Sequence, residues 1–130
     1  MFLLDANTVI YHFKGLGQVS SHLEQVAPTE LLLPTVVIFE LQVGIAKSGF
    51  PNKRIIQLEK FIRYVNIVPF GQNEAHHAAL VRANLEKVGK PIGCIDVLIA
   101  GIALANDATL VTHNVKEFSR IEGLDFVDWY

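Results

Sequence analysis

Short apolar runs alternate along this chain with longer stretches in which apolar residues recur every three or four positions. The runs of strand length fall at positions 2–5, 30–33, 66–70, 109–112 and 124–127. Helical spacing is plain from Lys53 onward, where Ile55, Leu58, Ile62 and Val65 share one face. Further helices are predicted over positions 7–13, 19–26, 35–47, 73–88 and 115–121. Another, strongly apolar, is introduced by Pro91-Ile92-Gly93 and ends near Asn106. Punctuation supports these bounds. Asn7 is a candidate helix cap, Gly15-Leu16-Gly17 a stop, and Thr35 an N-cap or first-turn residue after Pro34. Gly49-Phe50-Pro51-Asn52 reads as a turn, and Gly89 closes the helix before it. Strands alternating with helices imply an α/β fold, a three-layer α/β/α sandwich around a mainly parallel sheet. Sites in such sheets form at the carboxyl ends of strands. Asp5 and the Thr112-His113-Asn114 turn fall at two of those ends.

Three acids interrupt this apolar pattern. Asp5 ends the run Met1-Phe2-Leu3-Leu4, and Glu40 shares a helical stripe with Val36, Val37, Val43 and Gly44. Asp96 lies on the stripe of Ile92, Ile99, Ala100 and Ala103. An ionised carboxylate buried without a partner is costly, so each requires a cation, a donor or a shifted pKa. Taken singly, each is as readily a helix-end carboxylate paired with a nearby Lys or Arg. Three together favour a shared site, and a hard divalent ion, Mg2+ or its substitute Mn2+, is the economical common partner. That chemistry points to phosphodiester cleavage.

Composition bounds the remaining options. A length of 130 residues fits one domain. With 51% hydrophobic and 18% charged residues, the chain has strands buried on both faces, or a surface that a partner covers. No uncharged apolar stretch approaches the ~18 residues of a membrane span, and no basic segment precedes the first apolar run, so neither a span nor a signal peptide is expected. Cys94 is the only cysteine, which rules out an internal disulfide; it reads as a small buried thiol in a reducing, cytoplasmic setting. The net charge of −2 weighs against nucleic acid. Its distribution offsets this, since Lys47, Lys53, Arg54, Lys60 and Arg63 face only Glu59 over positions 47–63. That stretch is read first as a solvated face and second as a phosphate contact. His76 and His77 point in different helical directions, and His12, His22 and His113 are dispersed, so the histidines read as surface or partner contacts. His113 alone lies near the predicted site. Arg82 reads as an internal salt-bridge partner ahead of a phosphate contact.

The segment Leu3-Leu4-Asp5-Ala6-Asn7-Thr8-Val9-Ile10-Tyr11 resembles the opening of a PIN domain, and Val37-Ile38-Phe39-Glu40-Leu41-Gln42-Val43-Gly44 resembles that family's second acidic helix. The stretches at positions 91–106, 108–118 and 121–129 are similar to the VapC-type toxins of bacterial toxin–antitoxin pairs. The resemblance covers nearly the whole chain and keeps the order and spacing of the acids. It implies a single PIN-like domain over residues 1–130, acting as a magnesium-dependent endoribonuclease in the cytoplasm. Asp5, Glu40 and Asp96 are then the acidic core, with Asp5 and Asp96 as direct ligands and Glu40 orienting the attacking water. Asn7 and Thr112 are candidate donors to the carboxylates, with a helix cap and a strand-end hydroxyl as equal alternatives. Asn114 stands where many members carry Asp, and Glu117, one helical turn further on, is the candidate replacement. The implied partners are a cognate antitoxin, seated on grooves between the early helices, an RNA substrate (transfer or ribosomal) and a second copy of the chain.

Two other readings compete. One is a non-catalytic nucleic-acid-binding or interaction module on the same scaffold. In the other, Asp5-Ala6-Asn7-Thr8-Val9 also resembles the nucleophile motif of haloacid-dehalogenase-type phosphatases. Asn7 there replaces the general-acid Asp, and the later paired acidic motif is missing.

Overall fold

A computed structural model describes residues 1–130. Three strands, β1 (Phe2–Leu4), β2 (Leu31–Pro34) and β4 (Thr109–Val111), form the middle of a five-stranded sheet. They read as unbroken apolar runs because both faces are covered: Leu3, Leu4, Leu31, Leu33, Leu110 and Val111 are all fully buried. The edges are β3 (Asn66–Val68) and β5 (Phe126–Val127), in the order β3-β2-β1-β4-β5. Every pairing is parallel, with Leu3 opposite Leu32 on one side and Leu110 on the other. Parallel neighbours require crossovers, and helices supply each one. Helices α1 (Ala6–Lys14) and α2 (Val19–Glu24) join β1 to β2, followed by α3 (Thr35–Lys47) and α4 (Asn52–Tyr64) before β3. Helices α5 (Gln72–Lys87) and α6 (Cys94–Ala105) lead to β4, and the one-turn α7 (Val115–Phe118) leads to β5. The result is an α/β/α sandwich around one continuous core.

The sheet grows outward in opposite directions from β1 and β4. The first crossovers step through β2 to β3, and the later ones begin again beside β1. The carboxyl ends of β1 and β4 therefore flank a topological switch point, where open α/β sheets leave a crevice.

Most element boundaries match the sequence pattern within two residues. The strand expected over 66–70 stops at Val68, because Pro69 has no N–H for the ladder. The helix expected over 115–121 keeps only one turn. Gly15 ends α1 in the left-handed region (φ 67°), as the Gly-Leu-Gly stop predicts. Cys94 departs from expectation. It is exposed, because it opens α6, whose continuous burial begins only at Val97 and Ile99.

Helices α5 and α6 pack closely enough to exclude a side chain. A Cβ on Gly101 would lie 2.5 Å from Ala78 Cβ and 2.6 Å from its Cα. Alanine is the better helix former by about 1 kcal/mol, but overpacking against a neighbouring backbone costs about 3 kcal/mol. Gly101→Ala is therefore expected to destabilise by about 2 kcal/mol, read as a melting temperature lower by roughly 6 °C.

Candidate active site

Asp5 lies one residue beyond β1, where the chain turns into α1. It is the N-cap of that helix: its Oδ1 accepts a hydrogen bond from the Thr8 backbone N–H at 2.9 Å. The Asp5 N–H donates to the Val111 carbonyl at 3.3 Å, and the Thr8 hydroxyl donates to the same carbonyl at 3.0 Å. The ends of β1 and β4 are thus tied together at the acid. Asp5 is only 7% exposed, yet no buried side-chain oxygen in the chain lacks a partner. Its second oxygen, which makes no hydrogen bond, therefore reaches solvent.

Glu40 reaches the crevice from the middle of α3, the helix that leaves β2. Asp96 sits in the first turn of α6, with Oδ2 over Gly93, and Glu117 is carried by α7 just beyond β4. Burial raises the Glu40 pKa first, and the negative charges of Asp96 and Asp5 add to it. Asp96 is pushed up to about 6, by burial first, then by the charges of Glu117 and Asp5 and a hydrogen bond with Glu117. Asp96 thus feels the charges of Asp5 and Glu117, and Glu40 those of Asp5 and Asp96, which links acids from four separate elements. None of them forms an ion pair; the chain's ion pairs are Met1–Glu30, Arg82–Glu86 and His113–Asp128.

As the side chains stand, no three acidic, histidine or cysteine groups close on a single point as a metal cage. The donor set is nevertheless all carboxylate oxygen, partly buried and without a basic partner, and that chemistry fits a hard divalent cation such as Mg2+, which keeps several of its waters.

The neighbouring residues take roles the sequence only partly indicates. Asn7 does not cap α1; it lies two residues past the cap, is exposed, and makes no hydrogen bond to Asp5. Thr8, overlooked in the sequence, supplies both the N–H to Asp5 and the hydroxyl to β4. The signal for the cap was there: an acid between a strand and a helical run fits an N-cap. Thr112 is fully buried, and its hydroxyl accepts from the Asn114 N–H at 3.0 Å, so it shapes the turn after β4 and bonds no carboxylate. Asn114 in turn donates its side-chain amide to Glu117 Oε2 at 3.0 Å. Asn114 thus holds the acid one helical turn further on.

The histidines divide. His12 is half-buried, bonded to Ser20 at 2.8 Å, and burial lowers its pKa against the raising effect of Glu24; of the two readings, surface or partner contact, an open surface position does not fit it. His113 is exposed and pairs with Asp128 at 2.8 Å. Arg82 is paired as expected, but with Glu86 on the surface of α5. No helix is long and apolar enough to cross a membrane.

Comparisons with known proteins bear on the family and the fold. The PIN domain family matches residues 2–124. The tRNA(fMet)-specific endonuclease VapC of Shigella flexneri is 30% identical over 128 residues, spanning 98% of this chain and 97% of that protein. Ribonuclease VapC2 of Rickettsia felis is 34% identical over 131 residues, spanning 99% and 98%. Among solved structures, VapBC2 from Rickettsia felis bound to a DNA fragment from its promoter superposes with a TM-score of 0.92 at 33% identity, covering 99% of this chain and 98% of that one. DNA-bound VapBC from Salmonella typhimurium also gives a TM-score of 0.92, at 30% identity, with the same coverage. With a family match over nearly its whole length and relatives this similar from end to end, the chain belongs to the PIN-domain family and is closely related to the VapC toxins of type II toxin–antitoxin systems.

Proposed function

We propose that this chain is the toxin of a toxin–antitoxin pair and a magnesium-dependent endoribonuclease, with residues 1–130 acting as one PIN-like domain. The single observation that carries the reading is that Asp5, Glu40, Asp96 and Glu117, carried by four separate elements around the carboxyl ends of β1 and β4, have no basic partner. Its relatives' ribonuclease names point the same way.

Asp5 and Asp96 would hold Mg2+, or Mn2+ in its place. When bound, the ion neutralises charge on the scissile phosphate and acidifies a water. The Asp5 oxygen not used for capping is the one free for this task, and the Thr8 and Val111 contacts keep it in place. Glu40 lies one helix away and has a raised pKa, which suits it to orient a water and take up its proton. Glu117, held by Asn114, adds a fourth negative group on the β4 side. Asn7 is left at the exposed start of α1, where it is available to substrate.

Attack by water breaks the bond between phosphorus and the 3′ oxygen, which leaves as a hydroxyl. The products then carry 5′-phosphate and 3′-hydroxyl ends, a result that end-group analysis of the cut RNA checks. A 2′,3′-cyclic phosphate would instead make the ribose the nucleophile and remove water activation from the account.

The antitoxin belongs on the apolar clefts of the early helices. One, between α1, α2 and α4, is lined by Phe13, Leu23, Phe61 and Tyr64; another, between α3 and α4, by Phe39, Val43, Phe50 and Ile62. Phe39 and Phe50 are 57% and 63% exposed, more apolar surface than a lone chain gains by showing. A homodimer in the cytoplasm completes the proposal, with transfer or ribosomal RNA as substrate.

A further inference from the structure

A cluster of four carboxylates on a chain of net charge −2 repels RNA unless positive charge stands close to it. The structure supplies such charge beside Glu40. A cleft of about 190 Å³ runs between α1, α3 and α4, with Glu40 on its wall and Ile10, Leu41 and Ile45 among its apolar lining. Lys14 and Arg54 line the same cleft. Arg54 is anchored: its Nη1 donates to Gln57 Oε1 at 2.7 Å and to the Phe13 carbonyl at 3.5 Å, and Gln57 Nε2 donates to that carbonyl at 3.2 Å. Lys14 is the last residue of α1, where the helix dipole also favours a cation. Neither residue pairs with a carboxylate.

We propose that Lys14 and Arg54 form a phosphate-binding subsite that seats the RNA backbone beside the acidic cluster on its Glu40 side. This rests on the ribonuclease reading and deepens it. Two unpaired cations over an apolar lining match a nucleotide, with phosphate at the charges and sugar or base against Ile10 and Leu41. Arg54 has a structural task as well, since it caps the end of α1, and that task uses only part of its five-donor guanidinium. Lys14 has no such task.

The test measures binding of a single-stranded RNA against salt concentration in the cleavage-deficient Asp96→Asn background, with Lys14→Gln, Arg54→Gln and the double variant. Lys87→Gln on α5, away from this cleft, is the control. Each neutralised phosphate contact lowers the steepness of log K against log salt by about 0.7, so the double variant loses about 1.4 while Lys87→Gln loses none. In otherwise active protein the same variants raise KM more than they lower kcat, the mark of lost substrate binding. Arg54→Lys keeps the charge and restores most of the slope. If Arg54→Gln fails to fold, Lys14→Gln alone decides. An unchanged slope in protein that still binds RNA overturns the assignment and leaves these cations to a protein partner. Failure of the unmodified chain to bind or cut RNA overturns the ribonuclease reading, and the subsite with it.

Discussion

Asp96→Asn is expected to lower RNA cleavage on the order of 10³-fold while making the metal-free protein harder to unfold at neutral pH. The loss follows from removing one of two metal-holding oxygen groups, and it sits at the upper end of what one preorganised electrostatic group contributes. The gain follows from the same environment. Asp96 is partly buried beside Glu117 and Asp5, which pushes its pKa up to about 6. Ionised Asp96 is therefore a net cost to the fold. Over a shift from the ordinary 3.8 that cost would reach roughly 3 kcal/mol at full strength. The side chain is only partly buried, so solvent screening reduces it to about 1 kcal/mol. The dipole of α6 favours the charge by about 0.5 kcal/mol, too little to reverse the sign. A cleavage assay paired with thermal melts in EDTA checks both halves. An acid that serves only the fold would lose stability on replacement, so a destabilised Asp96→Asn protein contradicts this account.

The second large effect is a stability difference that depends on pH. Between the ordinary Asp96 pKa of 3.8 and its folded value of about 6, the native protein holds a proton that the unfolded chain has released. Stability from this group therefore falls as pH rises through that window. Below about pH 4 both states are protonated and the penalty vanishes; above the folded pKa it is fully present. Glu40, also raised, adds to the same trend from its ordinary 4.5 upward. The melting temperatures of the unmodified protein and Asp96→Asn should thus converge near pH 4 and separate above about pH 6. Saturating Mg2+ should raise the melting temperature of the unmodified protein above about pH 6 and leave Asp96→Asn little changed, because the ion favours the ionised carboxylates. A constant difference at all pH values, with or without Mg2+, would remove Asp96 from any charged cluster.

The fold was legible because a parallel sheet covered on both faces writes itself as unbroken apolar runs, and Leu31-Leu32-Leu33 and Leu110-Val111 are such runs. Asp5, Glu40 and Asp96 were legible for the complementary reason, as charges set on apolar stripes. Local pattern was less informative where two polar neighbours compete for one task. Asp5, Asn7 and Thr8 all suit a helix start; Asp5 caps through a local bond, while the bracing by Thr8 depends on β4 lying beside β1. Thr112 was open between two roles for a similar reason, and the structure gives the strand-end one: its buried hydroxyl finds its partner in the turn that follows it. The Asn114–Glu117 contact depends on the one-turn α7, and the effect of Glu117 on Asp96 depends on where α6 and α7 meet. Spacing along the chain carries no such information. Cys94 shows the opposite limit, since an apolar helix is not apolar in its surroundings until it passes under its neighbours.

The central claim is that this acidic cluster cuts RNA with a divalent cation, and one measurement tests it most directly. Purified, antitoxin-free protein is incubated with total cellular RNA in Mg2+ and in EDTA, and the cut ends are mapped. The account predicts discrete internal cuts that appear with Mg2+ and disappear with EDTA, and the cut positions identify the substrate. Intact RNA in Mg2+ with folded protein would contradict it and favour a non-catalytic binding module built on the same scaffold.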